Sequence, residues 1–229
     1  MATQKPRILA LASGTKTCGG SGFQELVEFS RTRPPVLDAE IVCVVSNHQN
    51  GGVSRRADAL GVQFAWWPGP KFTADGYDRL MKMLRPDYVM LSGWVKLTQG
   101  LRPERTVNIH PGPLPRFGGP GMFGHHVHEA VMDAYRAGEV NQSAVCMHFV
   151  VDKGEDKSAY DKGPVFFQLP VLIRPGDSAE TLAERVNEKE RAWQAFVLNL
   201  VVHGLIRLEK DGEGWKVVYE NGLENIIPH

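Results

Sequence analysis

The stretch TVNIHPGPLPRFGG, residues 106–119, marks the point where regular structure ends abruptly in this chain. Its first residues form a β-branched run, and the prolines and glycines that follow direct the backbone away from a sheet. Because strand side chains alternate with a period of two, Asn108 and His110 point to the same face. The sequence therefore predicts two polar side chains side by side at a sheet edge.

Strand and helix patterns alternate before this stretch. Short apolar runs rich in β-formers are each followed by a segment with helical spacing, and the first such segment comes after a Gly-rich turn. Alternation of this kind predicts a parallel sheet covered by helices on both faces. The predicted strands are 7–12, 40–46, 64–67 and 87–94, and the predicted helices are 23–31, 51–61 and 74–84.

The pattern changes after residue 119. A helix is predicted over 125–138, strands over 143–151 and 164–173, and a long helix from near Asp177, where Asp177 and Glu180 resemble a capping box. We expect one α/β domain with a doubly wound, mostly parallel sheet, antiparallel C-terminal strands and a long C-terminal helix. The long helix carries an apolar stripe that we expect in the core: Trp193, Phe196, Val197, Leu200 and Val201.

The composition argues against some classes of function. The 229 residues are 42% hydrophobic, enough for a core, and 26 acidic residues balance 26 basic ones. Nothing in this balance indicates a nucleic-acid or membrane partner held by bulk charge. The three cysteines form no CxxC pair, which fits a reducing, cytoplasmic setting. No apolar run is long enough for a signal peptide core or a membrane span.

The Gly-rich turn SGTKTCGGSG, residues 13–22, matches neither common nucleotide motif. Gly20 stands where a P-loop needs its lysine, and the third glycine of a dinucleotide fingerprint is missing. Backbone N–H groups and Ser21 at a helix N-terminus can still hold a phosphate. The alternative is a flexible turn without a ligand.

The histidines at 125, 126 and 128 are candidate ligands for a metal ion. No carboxylate or cysteine ligand stands beside them at a zinc-signature spacing, so we expect no metal. They more plausibly begin a helix beside the active site.

The order of motifs resembles the folate-dependent formyltransferases, from Ile8 to about Leu208. The family's Rossmann-like fold and its formyl transfer are what this resemblance implies. It would divide the single domain, 1–229, into a phosphate-binding half (1–105), a catalytic and folate-binding half (106–208) and a C-terminal extension (209–229). The matching segments are Gly20–Gly22, PDYVMLSGWVKL (86–97), NIHPGPLP (108–115), MHFVVD (147–152), DKGPVFFQ (161–168) and RVNEKER (185–191).

The resemblance implies that Asn108, His110 and Asp161 are the catalytic residues. An amine that attacks a formyl carbonyl generates an oxyanion and must lose a proton. Asn108 and His110 can donate hydrogen bonds to the oxyanion, and Asp161 would raise the basicity of the imidazole. The alternatives are a turn-capping Asn with a structural His, and Asp152 in place of Asp161.

The resemblance also implies the two substrate sites. The donor, 10-formyltetrahydrofolate, would lie along Met90, Trp94, Val95, Lys96, Leu97, Val151 and Asp152, although Met90 and Trp94 can equally be core or rim residues. The acceptor would bind Gly20, Ser21, Gly22, Pro111 and Glu190, with its phosphate on the Gly/Ser loop and its ribose hydroxyls on Glu190.

The implied reaction is formyl transfer to the amine of glycinamide ribonucleotide, in purine synthesis, by a monomer or homodimer. The alternatives are an N-formyltransferase for an aminosugar nucleotide and an inactive regulator that binds folate or a nucleotide. Some segments depart from the family pattern. TKTCG is inserted before the Gly/Ser loop, Gly22 replaces a common Asn, KGEDKSA (153–159) lengthens the folate-side loop, and Lys162 replaces a common Gly.

Overall fold

The predicted alternation of strands and helices is present in the computed structural model, which describes residues 4–69, 72–152, 154 and 160–228. The helices are α1 (Ser21–Ser30), α2 (Gly52–Leu60), α3 (Ala74–Leu84), α4 (His125–Arg136) and α5 (Ala179–Val202). The strands are β1 (Arg7–Leu11), β2 (Glu40–Ser46), β3 (Phe64–Trp66), β4 (Tyr88–Leu91), β5 (Thr106–His110), β6 (Gln142–Phe149), β7 (Val165–Leu172), β8 (Ile206–Asp211) and β9 (Gly214–Tyr219).

Seven strands form one sheet in the order β3-β2-β1-β4-β5-β6-β7. The strands from β3 to β5 are parallel, whereas β6 runs antiparallel to β5 and β7 antiparallel to β6. The last two strands, β8 and β9, form a separate antiparallel hairpin. The predicted fold class, with its antiparallel C-terminal strands and long helix, is confirmed.

The two faces of the sheet pack against different helices. In β1, Ile8 and Ala10 belong to the larger core, which also contains the buried side chains of α1, α4 and α5. Leu9 and Leu11 face the opposite way and pack with Tyr77 of α3. This period-two division of a strand that is buried on both faces is what a parallel sheet between helical layers requires.

The start of α5 differs from the prediction. The capping box is formed by Ser178 and Thr181, not by Asp177 and Glu180, because Ser178 is the residue with extended backbone at the helix boundary. Asp177 lies one residue outside and accepts two hydrogen bonds from Arg185, each 2.8 Å long. The helix start is thus fixed by a cap and by a bidentate ion pair.

The apolar stripe of α5 is only partly core. Val197, Leu200 and Val201 are buried, but the side chain of Phe196 is 41% exposed. Trp193 is half-buried and contacts Phe167. The expectation that the whole stripe is buried was therefore wrong at Phe196, because the buried arc of the helix is narrower than its apolar stripe.

The strand order creates a crevice at the carboxyl edge of the sheet. The chain moves outward from β1 to β3 and then returns to β4 on the other side of β1, so the loops after β1 and β4 diverge. Crevices at such switch points are the usual ligand sites of open α/β sheets. The Gly-rich loop follows β1, and Asn108 and His110 lie in β5, beside β4. Among the described helices, none is both long and apolar enough to cross a membrane.

Candidate active site

Asn108, His110 and Asp161 converge at one point of this crevice. Asn108 and His110 stand on the same face of β5, as the period of two predicted, and Asp161 lies between β6 and β7. Asn108 Nδ2 donates to Asp161 Oδ1 over 3.1 Å, and His110 Nδ1 lies 3.6 Å from Asp161 Oδ2. The candidate substitute, Asp152, is turned elsewhere: its carboxylate accepts hydrogen bonds from the backbone N–H groups of Gly100 and Gly154.

A further residue, His148, completes this cluster. It is the antiparallel partner of Asn108 across β5 and β6, and its Nε2 lies 3.0 Å from Asn108 Nδ2 and 3.4 Å from Asp161 Oδ1. Its Nδ1 lies 2.9 Å from the carbonyl oxygen of Phe149, which can only accept, so Nδ1 carries the proton. In neutral His148, Nε2 then accepts from Asn108. His148 lies within the motif MHFVVD, but no role for it was predicted from the sequence.

The proton position on His110 follows from the same reasoning. Its Nε2 donates to the carbonyl oxygen of Phe117 over 2.8 Å, so Nδ1 is the nitrogen that faces Asp161 and is free of hydrogen in the neutral ring. Burial lowers the pKa of His110 more than the charge of Asp161 raises it. Asp161 thus raises the basicity of the imidazole, as predicted, but the net pKa is lowered because the ring is almost completely buried.

Asp161 is kept ionised despite its burial. Burial favours its neutral form, but the contacts with His148 and His110, which favour the carboxylate whenever a ring is protonated, and the N–H of Gly119 outweigh this effect and lower the pKa of Asp161. Its backbone has a positive φ of 56°, uncommon for a residue other than glycine. At neutral pH the cluster combines a carboxylate with a neutral His110.

The conformation around Asp161 depends on a close backbone approach. A Cβ atom placed on Gly163 would lie 1.7 Å from the carbonyl oxygen of Phe149, in the strand that carries His148. Only glycine fits at that distance. The DKGP segment therefore places Asp161 against β6 by backbone packing.

Both N–H groups of the Asn108 amide are engaged inside the protein, one with Asp161 and one with His148. The reverse orientation of the amide would place its oxygen against the Asp161 carboxylate, so the network fixes the assignment. Asn108 can donate to a substrate oxygen only by exchanging one of these bonds. Asn108, the predicted oxyanion donor, is thus present at the site, but both of its N–H groups already have partners in the protein.

A cavity of about 430 Å³ opens in front of the cluster, a volume typical of small-molecule sites. All residues predicted for the acceptor line it, together with Ser92, Arg191 and Gln194, for which the sequence analysis gave no role. Burial raises the pKa of Glu190 to about 7. The predicted residues in its wall are Gly20, Ser21, Gly22, Trp94, Val95, Asn108, His110, Pro111, Asp161 and Glu190.

A smaller cavity of about 40 Å³ lies on the other side of the cluster and includes Lys96, Leu97 and Val151 in its wall. Four residues, Trp94, Asn108, Tyr160 and Asp161, line both cavities. Of the residues predicted for the donor, Lys96, Leu97 and Val151 line only the smaller cavity, Val95 lines only the larger one, and Trp94 lines both. The KGEDKSA segment falls mostly outside the described residues.

Two residues predicted for the folate, Met90 and Asp152, line neither of these two cavities. Met90 is fully buried in the larger core, so its side chain has no surface for a ligand, which agrees with the core alternative. The carboxylate of Asp152 is occupied by the backbone of Gly100 and Gly154.

The histidines near residue 125 begin α4, as predicted. His125 lies 3.3 Å from Glu180, His126 lies 3.1 Å from Glu129, and His128 is buried. Within the part of the chain that the structure describes, no group of three or more His, Cys, Asp or Glu side chains could hold a metal ion. The contact between His125 and Glu180 joins α4 to the start of α5.

A family model described as "Formyl transferase" matches residues 6–198, which include every element of the crevice. The chain belongs to the formyl transferase family. The resemblance stated from NIHPGPLP and DKGP is thereby confirmed.

Named relatives of this formyl transferase act in purine synthesis. The chain is 30% identical over 220 residues to the chloroplastic phosphoribosylglycinamide formyltransferase of Arabidopsis thaliana, covering 91% of this chain and 70% of that protein. It is 28% identical over 227 residues to the trifunctional purine biosynthetic protein adenosine-3 of Gallus gallus, covering 95% of this chain but only 20% of that protein.

Among solved structures, glycinamide ribonucleotide transformylase 1 from Symbiobacterium toebii has the same fold. Its TM-score is 0.75 at 23% sequence identity, and the match covers 95% of this chain and 96% of that one. At this level of identity the likeness establishes the architecture of the formyl transferase alone.

Proposed function

We propose that this formyl transferase transfers the formyl group of 10-formyltetrahydrofolate to the amine of glycinamide ribonucleotide, in purine synthesis. The observation that carries the proposal is the position of Asn108 and Asp161 between two cavities. One cavity has the Gly/Ser loop and Glu190 in its wall, and the other has Lys96, Leu97 and Val151. A two-substrate transfer needs its reacting groups to meet between the two binding sites.

The walls suit the two substrates. Ser21 and the N–H groups at the start of α1 are donors for a phosphate, and the Glu190 carboxylate can accept from ribose hydroxyls. On the other side, apolar Leu97 and Val151 and the ring of Trp94 suit a flat heterocycle. The donor, when bound, supplies the formyl carbon that the amine attacks.

The residues of the cluster have complementary roles in this proposal. As negative charge develops on the formyl oxygen, Asn108 exchanges a hydrogen bond with Asp161 or His148 for that oxygen. Neutral His110 beside ionised Asp161 can take up one proton on Nδ1, where the carboxylate stabilises the imidazolium. The amine loses one proton and the leaving nitrogen gains one, so the pair holds the proton only between the two events.

The proposal is tested by following loss of the donor's absorbance with glycinamide ribonucleotide, with aminosugar nucleotides and without an acceptor. We expect loss of the donor with glycinamide ribonucleotide, and none with aminosugar nucleotides or without an acceptor. Asn108→Ala should reduce kcat by about 100- to 1000-fold, the usual cost of one oxyanion donor. Turnover only with an aminosugar nucleotide would show that the acceptor is an aminosugar nucleotide and not glycinamide ribonucleotide. No turnover with any amine would favour the regulator that binds without reacting.

A cytoplasmic setting belongs to the same proposal, because three free cysteines agree with a reducing compartment.

A further inference from the structure

Arg191 is the one lysine or arginine among the described residues that line the larger cavity. It lies on α5, next to Glu190. The carboxyl groups in the same wall belong to Asp161 and Glu190. A phosphate ester that enters this cavity therefore meets two acidic groups, and it needs a cation to offset the cost of desolvation and repulsion.

The Gly/Ser loop itself offers only neutral donors. A Cβ atom on Gly22 would lie 2.3 Å from Ser92 Oγ and 3.0 Å from Gln194 Oε1, so the space beside Gly22 is already filled. A side chain such as the Asn common in the family does not fit there without displacing Ser92. The loop thus provides the Ser21 hydroxyl and backbone N–H groups, and no charge.

Arg191 is held next to this loop by α1. Its Nε lies 3.1 Å from Oε1 of Glu25, in the helix that begins at Ser21. The arginine side chain remains 45% exposed. Because the ion pair uses Nε and the terminal N–H groups have no partner among the described residues, these groups can form a bidentate contact with a phosphate.

We propose that Arg191 recognises the 5′-phosphate of the acceptor and that Glu25 orients its guanidinium before the phosphate binds. This inference rests on the proposed function, because the phosphate belongs to the ribonucleotide acceptor. It assigns the electrostatic part of phosphate recognition to α5 and leaves the Gly/Ser loop with neutral hydrogen bonds.

The test compares two acceptors that differ only in the phosphate, glycinamide ribonucleotide and the corresponding riboside. In Arg191→Gln, kcat/KM for the ribonucleotide should fall about 10- to 100-fold, the value of a charge-assisted contact, while kcat/KM for the riboside stays within about twofold. The ratio of kcat/KM for the ribonucleotide to kcat/KM for the riboside should fall by the same factor. Unchanged preference in Arg191→Gln would overturn the inference.

Two further variants separate charge recognition from general damage to α5. Lys189→Gln removes the same charge from the same helix outside the cavity wall, and it should leave the preference unchanged. Arg191→Lys keeps the charge and should restore part of the preference. An equal loss of preference in Lys189→Gln would show an effect of net charge and contradict a specific contact.

A binding measurement distinguishes failure of this inference from failure of the proposed function. Calorimetric titration with ribose 5-phosphate needs no formyl transfer. If the parent protein does not formylate glycinamide ribonucleotide, the proposed function fails. Arg191 then still counts as a phosphate ligand if the parent binds ribose 5-phosphate at least about tenfold more tightly than Arg191→Gln. Equal or undetectable binding by both would overturn the inference.

Discussion

At the scale of single residues, the chemistry of the cleft depends on the proton state of His110 and Asp161. The carbonyl oxygen of Phe117 fixes the proton of neutral His110 on Nε2, and Nδ1 faces Asp161 at 3.6 Å. Burial lowers the pKa of His110, and the contact with His148 helps to lower that of Asp161. The form that can accept a proton is therefore the dominant one at neutral pH.

This proton state predicts the pH dependence of kcat. We expect kcat to stay constant from above pH 7 down to about pH 6.5, the ordinary pKa of histidine, and to decline only below it. Asp161→Asn should lower kcat and move the decline to still lower pH, because Asp161 raises the pKa of His110. Steady-state rates from pH 5 to 8.5 test this, and a decline of the parent already above pH 7 would contradict it.

The raised pKa of Glu190 leads us to expect a separate effect of pH on acceptor binding. Burial raises the pKa of Glu190 to about 7, so the carboxylate forms as the pH rises through that value. If the carboxylate accepts from ribose hydroxyls, KM for the acceptor should fall as pH increases from 6 to 8. Glu190→Gln should raise KM and remove this dependence while KM for the donor stays unchanged. A parent KM that does not vary with pH would exclude this role.

Some residues of the site could be predicted from the sequence and others could not. Asn108 and His110 could be paired because a strand has a fixed period, whereas Asp161 needed the family resemblance, since a loop acid has no periodic signal. His148 became evident only from the register of β5 and β6, which the sequence does not specify. Met90 could not be separated from a surface residue before its neighbours in the core were known.

At the scale of elements, the DKGP segment is held against β6 by the absence of a side chain at Gly163. Gly163→Ala would place Cβ 1.7 Å from the carbonyl oxygen of Phe149, so the backbone next to Asp161 must move. We expect kcat to fall at least about tenfold, because small displacements of catalytic groups are costly, together with a lower Tm. Activity and thermal unfolding of the purified variant test this.

A matched control for that substitution is Gly214→Ala in β9, whose Cβ would make an ordinary contact of 3.4 Å with Asp211. This variant should keep both activity and Tm close to the parent values. Equal behaviour of Gly163→Ala and Gly214→Ala would contradict the role of the close approach.

The start of α5 predicts a pH-dependent contribution to stability. Arg185 lowers the pKa of Asp177 well below its usual range, and the two side chains are 16% and 7% exposed. Asp177→Asn should reduce the free energy of unfolding at pH 7 by about 1 to 3 kcal/mol. Because the folded pKa is depressed, this contribution is complete above the unfolded pKa of about 3.9 and is lost as pH falls toward the folded value.

Urea unfolding at pH 7 and pH 3 measures this difference. The gap between parent and Asp177→Asn should be smaller at pH 3, and Glu184→Gln, at an exposed position of the same helix, should match the parent at pH 7. A gap that stays constant between the two pH values would contradict an ionic origin.

Helix boundaries show why local patterns are imprecise by a residue. Asp177 with Glu180 and Ser178 with Thr181 have the same spacing, and both are reasonable capping sequences. The choice is decided by Arg185, two turns later, which binds the Asp177 carboxylate and leaves Ser178 as the cap. That contact depends on the packed helix and has no signature in the four capping residues themselves.

At the scale of the whole molecule, the alternation of strands and helices before residue 106 was sufficient to predict the parallel half of the sheet. The alternation alone does not fix the order of these strands, which the structure shows to be β3-β2-β1-β4-β5. The direction of β6 and β7 and the joining of the two cavities at Asn108 and Asp161 arise from long-range pairing. The larger cavity is therefore a property of the assembled fold, with contributions from α1, β5 and α5.

The measurement that tests this assembled site most directly is transfer of a ¹³C-labelled formyl group from 10-formyltetrahydrofolate to glycinamide ribonucleotide, detected by mass spectrometry of the acceptor. We predict labelled formylglycinamide ribonucleotide with the parent protein and a loss of about 100-fold or more with Asn108→Ala. Labelled formate without labelled acceptor, or undiminished transfer by Asn108→Ala, would contradict formyl transfer at this site.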